Sequence, residues 1–201
     1  KLETYYELFE TLNLNLIDLE PESFSAYNMA EKFYDENTIA ILDIGEKNTN
    51  LSIFHQGDIY YHKNLSTNGE ILNQKILEQY GEEGIKENGI ETVNDYKKYH
   101  SVLADELFDD YITDLINDLD KYLHQFNVKY LKEDMELNKL VITGGGLGKL
   151  NNLRKLAEPL NLEVKTISPQ KFVEYTGDEQ IGEFQLSNFY HLLVNNFGMN
   201  F

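Results

Sequence analysis

The sequence predicts an α/β fold: a mixed β-sheet flanked by helices, with a small inserted subdomain near residues 81–100. Three observations carry this. Three strand-like runs lie between 39 and 65, a long amphipathic helix follows, and the section from 139 reads strand, glycine turn, helix, strand. Antiparallel-capable strands followed by a βαβ unit place both strand directions in one sheet.

Each element has its own warrant. Residues 2–12 set Leu2, Tyr5, Phe9 and Leu12 at helical spacing with acids between them. Residues 13–19 alternate and read as a short strand. Pro21 opens a helix carrying Phe24, Tyr27 and Phe33 on one face. Ile39–Ile44 is apolar on both faces, which suits a central strand covered on both sides. Leu51–His55 and Ile59–Leu65 flank the turn signal Gln56-Gly57-Asp58. Thr67–Tyr80 reads as helix through Ile71, Leu72, Ile76, Leu77 and Tyr80. Residues 81–100 are polar, with glycines at 81, 84 and 89, and read as a loop with a short helix. From Leu103 to about Phe126, Leu107, Tyr111, Leu115, Leu119 and Leu123 continue an i, i+4 stripe. The closing elements are a strand at Lys139–Thr143, a helix at Leu147–Glu158, a strand at Leu162–Ile167 and a helix near Leu186–Asn196.

Composition limits the function classes. The 201 residues carry a formal net charge of −18 and no cysteine. Excess negative charge argues against a nucleic-acid backbone or an anionic lipid surface, both of which demand clustered cations. A nucleotide fits better, since a few backbone amides and one magnesium ion can hold its phosphates. Disulfides and thiolate metal sites are ruled out. No run approaches about 18 consecutive apolar residues, so no inserted helix is expected. The chain lacks an initiator methionine and opens inside a helical pattern, and we read it as a fragment.

Two turns can carry chemistry. The first is Asp43-Ile44-Gly45-Glu46-Lys47-Asn48-Thr49, where a hairpin leaves a buried strand. Gly45 lets backbone approach a phosphate, Thr49 adds a hydroxyl, and Asp43 can hold magnesium through water. A plain β-hairpin with an Asp-x-Gly turn accounts for the same residues. The second is Thr143-Gly144-Gly145-Gly146-Leu147-Gly148-Lys149-Leu150, an apolar strand running into three glycines. Removing every Cβ lets a planar ligand or sugar rest on backbone beside a helix N-terminus. A Walker A loop would need glycine at Thr143 and Ser or Thr at Leu150, and a dinucleotide fingerprint would need glycine at Lys149. A tight strand-to-helix connection stays open as the simpler account.

In their order, these turns resemble the second half of the actin-like ATPase superfamily, within it the PilM family of type IV pilus assembly, with the FtsA family of cell division next. Asp43-Ile44-Gly45 through Thr49-Asn50-Leu51-Ser52 is similar to the phosphate-2 hairpin, and Gly144-Gly145-Gly146 to the adenosine turn. Glu83-Gly84-Ile85-Lys86 resembles the Glu-x-x-Lys segment near ribose and adenine, and residues 5–26 the end of a first domain. The resemblance implies an actin-like (ribonuclease-H-like) domain over 38–201, with 1–37 the tail of the first domain. It implies ATP and magnesium as cofactors, with Asp43, Gly45, Thr49, Asn50, Glu83, Lys86, Gly144, Gly145 and Gly146 contacting the nucleotide. It further implies a cytoplasmic scaffold at the inner face of the cell membrane, docked on short cytoplasmic tails of inner-membrane pilus proteins. A homo-oligomer is compatible with it. An active ATPase or sugar-kinase half, and an interaction domain with a degenerate site, are the alternatives. The chain departs from the family at Glu46-Lys47-Asn48, where small residues are usual, at Asn68-Gly69 for Gly-Gly, and at Asn117-Asp118 for Arg-Ser. The first phosphate loop is missing, so the chain alone is expected to bind ATP weakly or not at all, without turnover.

The remaining features take simpler readings. Asp105, Glu106, Asp109, Asp110, Asp114 and Asp118 read as a solvated helix face. The five histidines show no ligand spacing, and Tyr60 and Tyr61 read as edge-strand aromatics.

Overall fold

The computed structural model describes residues 2–16, 21–87, 106–146, 150 and 153–167. Strand β1 (Thr38–Ile44) offers almost nothing to water: Ile39, Ala40, Ile41, Leu42 and Ile44 are all buried. Such a strand belongs in the middle of a sheet with both faces covered. The order is β3-β2-β1-β4-β5, with β2 at Thr49–His55, β3 at Asp58–Leu65, β4 at Lys139–Thr143 and β5 at Glu163–Thr166. β1–β2 and β2–β3 are antiparallel, whereas β1–β4 and β4–β5 are parallel. The β2–β3 hairpin turns through Gln56 and Gly57 at φ 50° and 91°, the left-handed pair that matches strand twist.

Strand parity divides the core. Ala40, Leu42, Ile44, Leu51 and Ile53 face α3 (Gly69–Glu87), α4 (Glu106–Lys129) and α5 (Arg154–Leu160), meeting Leu72, Ile76, Phe108 and Leu115. Ile39, Ile41, Phe54 and Val141 face the other way, onto Ala26, Tyr27, Met29 and Ala30 of α2 (Glu22–Glu31). Tyr27 stacks on Phe54 at 4.5 Å between centroids, and Phe24 meets the same ring edge-on at 5.1 Å. Each buried aliphatic side chain contributes about 1.5–3 kcal/mol.

Several boundaries differ from the sequence reading. Helix α1 (Leu2–Thr11) ends where Asn13 takes φ 52° and the Leu14 N–H donates to the Phe9 carbonyl. The alternation expected to form a strand is therefore not a strand over 13–16, and 17–20 lie outside the described residues. Residues 81–87, read as the start of a loop, continue α3 beyond a break at Gly81 (φ 64°, ψ 167°) and anchor it through buried Ile85. The rest of the expected insertion, 88–100, and the helix near 186–196 lie outside the described residues, as does Leu103. Helix α5 runs over Arg154–Leu160, and the expected start of that helix at Leu147 lies outside the described residues.

The acids of α4 are more than a solvated face. Asp109 pairs with Lys155 of α5, and Asp114 pairs with Lys75 of α3 at 3.0 Å. Asp118 Oδ2 accepts from the Ser66 hydroxyl at 2.7 Å and from the Thr67 N–H and hydroxyl, both at 2.9 Å. Partial burial would raise the Asp118 carboxyl, but the Ser66 and Thr67 hydrogen bonds outweigh it and hold the group below its ordinary value. A carboxylate so lowered stabilises the fold fully above about pH 4 and loses that contribution as pH falls through its folded value. Asp118→Ala is expected to cost about 1 kcal/mol at neutral pH, discounted for solvent exposure. The gap from wild type should close below about pH 4 in urea titrations at several pH values.

Candidate functional site

The site is built where two strands end. Because β1 and β4 run parallel, with Asp43 opposite Thr143, the hairpin after β1 and the glycine turn after β4 emerge at one rim of the sheet. Ligands of open α/β sheets bind outside such carboxyl ends.

The hairpin closes with the Gly45 N–H donating to the Asn48 carbonyl at 2.9 Å, and a Cβ at Gly45 would lie 2.6 Å from that same oxygen. The carbonyls of Gly45 and Glu46 accept from the N–H groups of Gly69 and Glu70 at 3.1 and 2.7 Å. Two of the otherwise unpaired amides at the start of α3 are thereby satisfied by the hairpin. Asn68 adds a cap, accepting from the Ile71 N–H at 3.2 Å and donating to the Lys47 carbonyl at 3.0 Å. Glu46, a departure from the family pattern, accepts from Asn73 Nδ2 at 3.3 Å. Its carboxylate is engaged by α3.

The three glycines are not equivalent. Gly144 sits at φ 95°, and a Cβ there would collide with Asp43 Oδ1 and lie 2.5 Å from the Ile44 carbonyl oxygen. A Cβ at Gly146 would collide with Ile44 Cγ2 and lie 2.6 Å from the same oxygen. Both are buried against the end of β1, whereas Gly145 is half-buried.

Asp43 and Asn50 pair across β1 and β2 on the α2 side of the sheet. They line a cleft of about 200 Å³ with Ile41, Ser52, His62 and the first residues of α2, Pro21 to Ser23. The Ser52 hydroxyl and His62 Nδ1 lie 2.9 Å apart. Among the described residues no group of three or more His, Asp or Glu side chains could hold a metal. The half-buried Asp43 carboxylate therefore fits a cation held through water by one protein oxygen, not a protein cage.

Three of the expected site residues stand apart from this cleft. Thr49 has the opposite parity from Asp43 and Asn50, on the side of Leu51 and Ile53; it is fully buried and its hydroxyl has no hydrogen-bond partner. It does not share the cleft. Glu83 and Lys86 are exposed on α3 beyond the Gly81 break and are not among the cleft's lining residues. The sequence reading includes Ser52 in the hairpin motif but not among the contacting residues, and it does not single out His62 or the start of α2 as site residues. Ser52 was findable, since period-two alternation puts it on the face of Asn50; His62 and Pro21 required the strand register and the helix docking.

A family model described as "Type IV pilus assembly protein PilM" matches residues 10–199. A comparison with curated proteins finds no match. Among solved structures, a "PilM-PilN type IV pilus biogenesis complex" is similar at TM-score 0.69 and 15% identity, covering 98% of this chain and 57% of that one. The ethanolamine utilization protein EutJ from Carboxydothermus hydrogenoformans is similar at TM-score 0.56 and 17% identity, covering 98% and 58%. MreB5 of Spiroplasma citri bound to AMPPNP is similar at TM-score 0.59 and 16% identity, covering 82% and 59%. The chain thus spans less than two thirds of the length of each.

Gly144→Ala is expected to destabilise by about 2–5 kcal/mol, through left-handed backbone strain and a backbone clash. Thr49→Val should be neutral or stabilising, because it removes a buried hydroxyl with no partner. Thermal melts of the two variants beside wild type check both outcomes.

Proposed function

The chain belongs to the PilM family of type IV pilus assembly proteins, and from that premise we propose that it serves as a nucleotide-responsive scaffold of a type IV pilus or related secretion machine. Its fold is the actin-like one. The observation that carries the nucleotide part is the shared rim, where the Asp43 carboxylate lies against Gly144 beside a cleft closed by the start of α2.

In this reading Asp43 positions a hydrated magnesium ion, which when bound offsets phosphate charge. Asn50 and Gly45 flank the phosphates, and the glycine turn backs the adenosine, Gly145 being its half-buried member. Glu83 and Lys86 reach ribose or base from the second segment of α3. The solved MreB5 relative holds AMPPNP, and the PilM relative is recorded in complex with PilN; nucleotide binding and a pilus partner come to this chain as part of the proposal. The partner segments would be short cytoplasmic tails of inner-membrane proteins, which would hold the chain at the inner face of the membrane. No helix among the described residues is long and apolar enough to cross a membrane.

A second reading, an interaction domain with a degenerate site, draws on one observation: the Thr49 hydroxyl is turned into the core and contributes nothing to the cleft. Calorimetry of ATP with magnesium against the intact protein separates the two. Measurable heat is expected, with Asp43→Ala weakening binding at least about tenfold, the loss of about 1.4 kcal/mol of metal-mediated contact. Absence of heat from the folded wild type would favour the degenerate site.

A further inference from the structure

Cations are scarce in this chain, 17 lysines and arginines against 35 acids, and many of the described ones are spoken for. Lys75 pairs with Asp114, Lys139 with Glu36 and Glu163, Lys155 with Asp109, and Lys165 with Glu163. Lys63, Lys121 and Lys132 pair with no carboxylate among the described residues. Each lies over a tyrosine instead: Lys63 is 5.7 Å from the Tyr61 ring centroid, Lys121 4.9 Å from Tyr122, and Lys132 4.6 Å from Tyr60. A ring holds an ammonium in place without cancelling its charge, leaving it available to an incoming anion.

The three pairs occupy one region, strand β3 and the carboxyl-terminal half of α4. Tyr61 packs on Phe126 and Tyr130 of that helix end, and Lys132 Nζ also donates to the Tyr60 hydroxyl at 3.2 Å. Between them lies exposed apolar surface: Ile59 is 39% exposed, Leu131 41% and Val128 68%. Strand β3 is also the end of the sheet order, pairing with β2 and with no other described strand. An edge of this kind presents a row of backbone donors and acceptors to an added strand.

We propose that the β3 edge is a docking site for an extended acidic segment of a partner protein, which joins the sheet as a further strand beside Lys63, Lys121 and Lys132. Backbone pairing supplies affinity and the lysines select the sign of charge, the division of labour in strand addition. Charge complementarity favours this occupant, because Lys63, Lys121 and Lys132, each held by a ring and none paired with a carboxylate among the described residues, stand together at this edge of a chain of net charge −18. An anionic bilayer would meet the same lysines but would leave the strand edge unused. The inference is independent of the nucleotide reading.

The test uses a fluorescent octapeptide of alternating Glu and Val, with a Lys–Val octapeptide as control, followed by anisotropy and by amide hydrogen exchange. The acidic peptide is expected to bind, to lose affinity as salt rises, and to protect amides within 58–65. The exposed-site double variant Lys63→Glu/Lys132→Glu should weaken it at least tenfold, and Lys63→Gln/Lys132→Gln by a smaller factor in the same direction. No binding, equal binding of both peptides, or protection confined to other strands would overturn the proposal. Lysine-dependent binding to phosphatidylglycerol vesicles without peptide binding would overturn it in favour of a membrane surface. Self-association that protects β3 would overturn it in favour of a second copy.

Discussion

The parallel pairing of β1 with β4 is the constraint on which the rest of the structure depends. Four registered pairs, Ala40–Leu140 to Asp43–Thr143, join a hairpin meander to a βαβ unit that begins almost a hundred residues later. Without that pairing neither the two-sided burial of β1 nor the shared rim exists. The contact is sealed at its end by glycines that let the backbone after β4 settle onto Ile44, so close approach continues past the last paired residues. Its high sequence separation means that forming it closes a long loop, and the apolar cores on both faces must offset that entropy.

The two faces are stabilised differently. On the α2 side, Tyr27 and Phe24 pack on the Phe54 ring amid Met29, Ile39, Ile41 and Val141. On the other side, a larger cluster that includes Tyr61, Phe108, Tyr111 and Phe126 is supplemented by the acids of α4, which tie to α3, to the turn before it and to α5. Exposed pairs of this kind contribute little singly. Their geometric effect is larger than their energy, since they fix where α3 and α5 lie along α4. Helix α3 in turn is fixed at its start by hairpin carbonyls, which makes hairpin and helix one unit.

Elements with a strong period were legible in the sequence. The both-faced apolar run of β1, the Gln56-Gly57 hairpin and the α4 stripe all appear close to where periodicity puts them. The order of the two turns identified their shared rim, because a parallel β1–β4 pair is the natural product of a meander followed by βαβ. What was not legible depended on tertiary contact. The alternation after Thr11 pairs with no strand over 13–16 among the described residues, and the glycines at 81 and 84 broke the helical reading although buried Ile85 holds α3 onward. Asp118 looked like one more surface acid until the turn at Ser66-Thr67 supplied three donors. The place of Thr49 in a motif says nothing of its side, whereas strand parity turns it into the core.

The unequal roles of the three glycines bear on how kinship should be read. Gly144 and Gly146 meet a main-chain oxygen, which no change of side chain at position 44 can remove. A descendant that had lost every affinity for nucleotide would therefore still be under pressure to retain both, because a side chain at either position strains the closure of its sheet. Packing against the end of β1 is thus a sufficient reason to keep those two positions; evolutionary drift after loss of a ligand should register first at Gly145 and at Asp43.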